Sequence, residues 1–254
     1  MFPNRFAFFV VLILALPVSL CGQAVWDRVS SAGIDWNGQN NGEVIFEVQS
    51  PSTSPGGFTR IRIRIPGQKE FKLTNPDGWV KYNSKDASRP SKALSAQTQV
   101  RTEYLLALPV AENRTALFLF GSEYGSSPDS LDVLELLPGE QPQRVLHRPQ
   151  FGLTDVRDLD ADGVAEVIGY PCLSQEFGNG LLTYDPFNVY KLPQRSNAGA
   201  VLSVPLSNGY NLKHYYGWAG VQCSEQFAVV LHPPNGGKPR VMKTQEAEKL
   251  TSAK

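Results

Sequence analysis

Phe151-Gly-Leu-Thr-Asp-Val-Arg-Asp-Leu-Asp-Ala-Asp-Gly-Val-Ala-Glu-Val-Ile168 sets carboxylates at alternate positions, Asp158, Asp160 and Asp162, follows them with Gly163, and ends the run on Glu166. Oxygen donors at such short spacing fold a backbone around one hard dication, and calcium takes roughly six to eight of them. Gly163 permits the sharp turn, the carbonyl of Val164 joins the sphere, and Glu166 closes it. Calcium is therefore the expected ion. A helix-loop-helix calcium site would need flanking helices and a glutamate at the twelfth loop position, where this chain has Gly169. The apolar runs on either side, residues 151–156 and 165–170, read as strands, so the loop is expected in a strand-to-strand turn.

Working outward, short apolar runs recur at residues 103–108, 116–120, 131–136 and 144–147, separated by turn-rich pieces at 111–114, 121–130 and 138–142. Short strands at nearly regular spacing indicate a sandwich, barrel or propeller. Upstream, residues 43–48 are apolar-rich, and residues 59–65 alternate with Ile61, Ile63 and Ile65 on one face and Arg60, Arg62 and Arg64 on the other. With the Pro66-Gly67 turn, residues 59–73 read as a hairpin whose arginine face is solvated and partly paired with Glu70. A polar loop is expected over 74–98, marked by the turn signal Asn75-Pro76-Asp77-Gly78. Residues 184–192 and 227–231 read as further strands and residues 205–216 as a short helix with proline near its start. The charged stretch 244–254 suits a terminal helix or a frayed tail.

The stretch 151–168 resembles an FG-GAP or VCBS-type repeat, the β-propeller blade of integrin-like and many secreted bacterial proteins. The resemblance covers about residues 151–170 and implies that Asp158, Asp160, Asp162 and Glu166 supply side-chain ligands to calcium, with Val164 giving its carbonyl. Glu166 stands where the family more often has aspartate, which keeps the carboxylate and lengthens its reach. The fold class expected is mainly β, a propeller-like assembly of short antiparallel strands with few short helices. A complete propeller stacks roughly four to eight blades.

Arg5, the apolar residues 6–16, Pro17 and the small or polar residues that follow have the layout of a secretory leader. Residues 1–24 are read as a signal peptide and residues 25–254 as one β-rich domain. The apolar run is too short to span a bilayer. Val18-Ser-Leu-Cys21 resembles a lipobox, but Leu20 occupies a position that usually holds a small residue, so lipid anchoring through Cys21 is the less favoured alternative to a secreted or periplasmic protein. Lys and Arg total 24 against 24 Asp and Glu; without Arg5 the balance is 23 against 24, a mature charge of −1. Counterion release on nucleic acid needs a basic surplus, which excludes that class of partner. With Cys21 removed, Cys172 and Cys223 form an even pair, most simply a disulfide in an oxidising compartment.

Asn113-Arg-Thr115 fits the glycosylation acceptor pattern. Tyr210, Tyr215, Tyr216 and Trp218 gather around His214, and core packing accounts for such rings more simply than a ligand platform does. His214, Cys223 and Glu225 carry no local catalytic signature. Two functions follow as expectations. The first is an exported, non-catalytic, calcium-stabilised binding or structural module whose partner is an extracellular or periplasmic protein or carbohydrate. The alternative is a secreted hydrolase using His214 with Glu225, or the loop carboxylates.

Overall fold

Strict alternation in β3 (Phe58–Arg64) buries Ile61 and Ile63 and turns Arg60, Arg62 and Arg64 to the other side of its sheet. The same two-residue period builds the rest of the molecule. The computed structural model describes residues 24–34, 42–50, 57–81, 102–121, 130–171, 176–178, 181–183, 186–194, 198–217, 229–231 and 237–252. Cys21, Cys172, Trp218, Cys223 and Glu225 lie outside them, so the disulfide and the Glu225 partnership are not observed. The described strands form four antiparallel sheets of four strands each.

The first sheet is a meander of β1 (Val25–Ile34), β2 (Gly42–Ser50), β3 and β4 (Phe71–Trp79). Pro66 and Gly67 turn β3 into β4 as the hairpin reading requires. Two expectations are corrected here. The loop expected over 74–98 does not begin at Asn75-Pro76-Asp77-Gly78: β4 continues through these residues to Trp79, accommodating them as a bulge between the Arg60–Thr74 and Phe58–Trp79 pairs, while residues 82–98 of that expected loop lie outside the described residues. The bulge is tied by Asn75 Nδ2 donating to the Gly78 carbonyl at 2.9 Å and Asp77 N–H donating to Asn75 Oδ1 at 3.2 Å. The arginine face is paired with Glu70 as expected, through Arg62 and Arg64, but it is not simply solvated, because Glu47 of β2, only 3% exposed, sits among the guanidiniums. Arg60 Nε and Arg62 Nη2 each approach a Glu47 oxygen at 2.5 Å, and Arg60 stacks 3.7 Å above the Trp26 ring.

The second sheet is the meander β5 (Leu106–Ala111), β6 (Arg114–Phe120), β7 (Leu131–Leu136) and β8 (Gln143–Arg148). Both its faces are buried. Leu105, Ala107, Leu117 and Leu119 join the core made with the first sheet, while Leu106, Leu108, Ala116 and Phe118 join the core made with the third. Each core also encloses one carboxylate. Asp132 accepts from Trp79 Nε1 at 2.9 Å and lies 2.8 Å from His147 Nδ1; Glu135 is paired with Arg114, which also donates to the Pro193 carbonyl. Burial pushes the Glu135 carboxyl up despite the arginine beside it.

The third sheet runs β9 (Gly152–Arg157), β10 (Glu166–Tyr170), β13 (Asn188–Lys191), β14 (Val201–Leu202). Its meander is interrupted between β10 and β13 by the hairpin β11 (Glu176–Gly178) and β12 (Leu181–Thr183), which belongs to the fourth sheet with β15 (Val229–Leu231) and β16 (Arg240–Met242). Ile168 and Val189, from the other face of the third sheet, share a core with Val230 and Val241. The sheets are thus packed in series, first on second, second on third, third on fourth.

Helix α1 (Val204–His214) is capped by Ser203 and has proline in its first turn, close to the reading of residues 205–216. It docks on β13 largely through polar side chains. Ser207 Oγ accepts from Val189 N–H at 2.9 Å, and Asn211 bonds both the N–H and the carbonyl of Phe187 at 2.8 Å. The charged terminal stretch is helical as α2 (Thr244–Ser252). Among the described residues no helix is long and apolar enough to cross a membrane.

Candidate metal site

The loop between β9 and β10 is held by its own carboxylates. Asp158 accepts from the N–H groups of Asp162 at 3.2 Å and Gly163 at 2.9 Å, and Asp162 Oδ1 accepts from Val164 N–H at 2.9 Å. The chain reverses through two left-handed residues, Ala161 at φ 59° and Gly163 at φ 87°. The strands below the loop approach closely. A Cβ on Gly169 would come within 2.3 Å of the Gly152 carbonyl, and one on Gly152 within 2.4 Å of the Tyr170 ring. Gly169 admits no side chain, because the atom in its way is backbone, and this keeps β9 and β10 tight at the end of the hairpin away from the loop, where Tyr170 pairs with Gly152.

This folding brings the expected side chains together. Asp158, Asp160, Asp162 and Glu166 each present a carboxylate oxygen, and the four atoms all lie within 4.8 Å of one another. The three aspartates are exposed, whereas Glu166 is 1% exposed. Glu166 Oε2 accepts from Leu159 N–H at 2.7 Å, but Oε1 is buried without a hydrogen-bond partner. Burial is the largest influence raising the Glu166 carboxyl above its ordinary range, and the charges of Asp160 and Asp162 add to it. Val164, expected to offer its carbonyl, is itself buried.

One residue of the site was not anticipated. Lys191 of β13 pairs with Glu166 across the sheet, and its Nζ lies 2.6 Å from Asp160 Oδ2, 2.7 Å from Asp162 Oδ2 and 4.0 Å from Glu166 Oε1. Gln194 Nε2 adds a 3.3 Å contact to Asp162 Oδ2. The two aspartates hold the Lys191 ammonium well above its usual range, and Lys191 in turn is the first cause of a lowered Asp162 carboxyl. Lys191 is 25 positions beyond Glu166 in the chain, and only the β10–β13 register joins them.

Asp158 also faces a cleft of about 440 Å³ against α1, lined by Arg157, Leu206, Tyr210, Lys213 and His214 among others. His214 is exposed on its rim, with its ring edge-on to Phe187 and Tyr215, each at 4.6 Å. Of the aromatic residues expected in the core, Tyr215 is buried, Tyr210 is half-buried and Tyr216 is 65% exposed. Set against known protein families, characterised proteins and solved structures, the chain finds no match.

Proposed function

We propose that the protein is an exported, non-catalytic binding or structural module, a calcium-stabilised β-propeller-like protein of FG-GAP or VCBS type. The observation that carries the reading is Glu166 Oε1. A buried acceptor with no partner costs roughly 1–3 kcal/mol, more when charged, and this one belongs to a group of four carboxylates converging within 4.8 Å. A dication would relieve both the oxygen, which the Lys191 ammonium approaches only to 4.0 Å, and the repulsion that one lysine charge leaves among four carboxylates. The donor set is all oxygen and holds neither thiolate nor imidazole, which suits calcium better than zinc or copper. Asp158, Asp160, Asp162, Glu166 and the Val164 carbonyl would hold the ion, which would supply charge neutralisation and cross-link the β9–β10 turn.

Four serially packed, four-stranded antiparallel sheets support the propeller-like reading, since propeller blades have that strand count. In such a protein the exposed loops carry recognition, with an extracellular protein or carbohydrate as partner. The leader-like N-terminus supports export, and export in turn would oxidise Cys172 and Cys223 to a disulfide.

Thermal melts of the mature chain in calcium and in chelator test the reading. Calcium at one hundred times its dissociation constant should add about 2.7 kcal/mol, raising Tm by roughly 5–10 °C for a domain of this size. Identical midpoints at saturating calcium would overturn it. A second reading, a hydrolase, is favoured by His214 standing on the rim of the same cleft as Asp158. Turnover of an ester, glycoside, peptide or phosphoester that is lost in His214→Ala at unchanged Tm would establish that reading instead.

A further inference from the structure

Glu166 and Lys191 are directly paired residues on adjacent strands, so their side chains leave the sheet on the same face. Their neighbours fix that face: Val167, Tyr190 and Leu192 are core residues on the opposite side, locking the register. A slip of one residue would send Lys191 into that core and Tyr190 into the loop. The lysine stem is thus committed to the carboxylate cluster, and its Nζ reaches Asp160 and Asp162 at 2.6 and 2.7 Å, the distances of charge-assisted hydrogen bonds. Docking of α1 onto β13 through Ser207 and Asn211 holds the strand that carries it.

Those two carboxylates are two of the four side-chain donors proposed for calcium. Asp160 and Asp162 meet the ammonium through Oδ2, while Asp162 Oδ1 is engaged by Val164 N–H and Asp158 by two further backbone N–H groups. An ammonium and a dication at the same oxygens repel each other strongly at such range. A cation tethered by its own strand also acts at an effective concentration in the millimolar range or above.

We infer that Lys191 is a built-in competitor for the metal: calcium enters the loop by exchange, displacing the Lys191 ammonium from Asp160 and Asp162 into solvent. The inference rests on the calcium reading above and adds to it a device that sets affinity. The lysine keeps the aspartate loop neutralised and folded without an ion, and calcium binds only where its concentration suffices to expel the lysine. The loop then responds to the calcium level, and the freed ammonium marks the loaded state.

Two measurements on the mature chain test the exchange. In calorimetric titration with calcium chloride, Lys191→Met keeps the apolar stem and removes the competitor, so it should bind at least tenfold more tightly than wild type, whereas Lys191→Arg should stay within a few-fold of wild type. On the unmutated protein, acetylation by an amine-reactive ester, read by peptide mass spectrometry, should proceed several-fold faster at Lys191 in calcium than in chelator, with other lysines unchanged or slower. The second readout does not depend on a variant folding. Calcium binding by wild type with no gain in Lys191→Met, or with Lys191 no more reactive in calcium, would overturn the exchange and leave the calcium site standing. No calcium binding by either protein would overturn both.

Discussion

Gly163 sits at φ +87°, and a Cβ built on it meets nothing within 4 Å, so Gly163→Ala isolates the backbone cost of a left-handed turn from any clash. That cost is about 1–2 kcal/mol, and the melting midpoint in chelator should fall accordingly. Gly209 provides the converse. It lies inside α1 on the wall of the cleft with equally open space around its Cβ and without a left-handed φ. Gly209→Ala should therefore stabilise the protein by about 0.5–1 kcal/mol, seen as a rise in Tm; a fall would mean that α1 needs the glycine for packing. At Glu166 the prediction separates folding from metal binding. Glu166→Gln keeps an oxygen for Leu159 N–H and removes a buried charge that Asp160 and Asp162 repel. Its midpoint in chelator should equal or exceed that of wild type while the calcium-induced rise disappears, and retention of that rise would remove Glu166 from the ligand set.

Between β2 and β3 the decisive group is Glu47, clasped by Arg60 and Arg62 with side-chain exposures of 4%, 17% and 19%. Truncation to Glu47→Ala strands two partly buried guanidiniums and should cost about 2–3 kcal/mol, less than a fully buried pair because the arginines still reach water. Burial is the largest single influence on the Glu47 carboxyl and raises it, but the bonds from Arg62 and Arg60 together outweigh burial and hold it below its ordinary 4.5. A lowered folded value means that this contribution is complete above that ordinary value and is lost as pH falls through the folded one. The stability gap between wild type and Glu47→Gln, measured by denaturant titration, should accordingly narrow below about pH 4.5. The arginine strand itself was legible, because the Ile61–Ile63–Ile65 alternation is local; Glu47 was not, because nothing local says which strand lies beside β3. The candidate site divides the same way. Asp158 to Glu166 can be read from spacing, since one turn delivers them all, whereas Lys191 arrives by register on β13 after the β11–β12 excursion. β1 was missed because its weakly apolar sequence is broken by a register shift between Arg28 and Ser30, and β11, β12 and β16 because three residues carry no period.

Packing the sheets in series makes the second sheet common to two cores, and this has a consequence for how the molecule unfolds. β6 contributes Leu117 and Leu119 to the core shared with the first sheet and Ala116, Phe118 and Phe120 to the core shared with the third, so neither core can open while the strand keeps its fold. Backbone bonds reinforce the joints: Val80 N–H donates to the Phe120 carbonyl, Ala165 N–H to that of Val110 and Ala200 N–H to that of Val145, each at 2.7 Å. The Ala165 bond ties the residue just before Glu166 to the end of β5, which links the aspartate loop mechanically to the second sheet. The first three sheets should therefore melt as one unit. Phe46→Ala, in the core of the first and second sheets, and Phe118→Ala, in that of the second and third, should each cost about 3–5 kcal/mol and lower a single calorimetric transition. Calcium should then raise that shared midpoint in the Phe46→Ala variant as well, although Phe46 belongs to a different core from the loop. Two resolved transitions in either variant, with calcium moving only one of them, would show that the sheets fold independently and that a metal held by the third stabilises only its own neighbourhood.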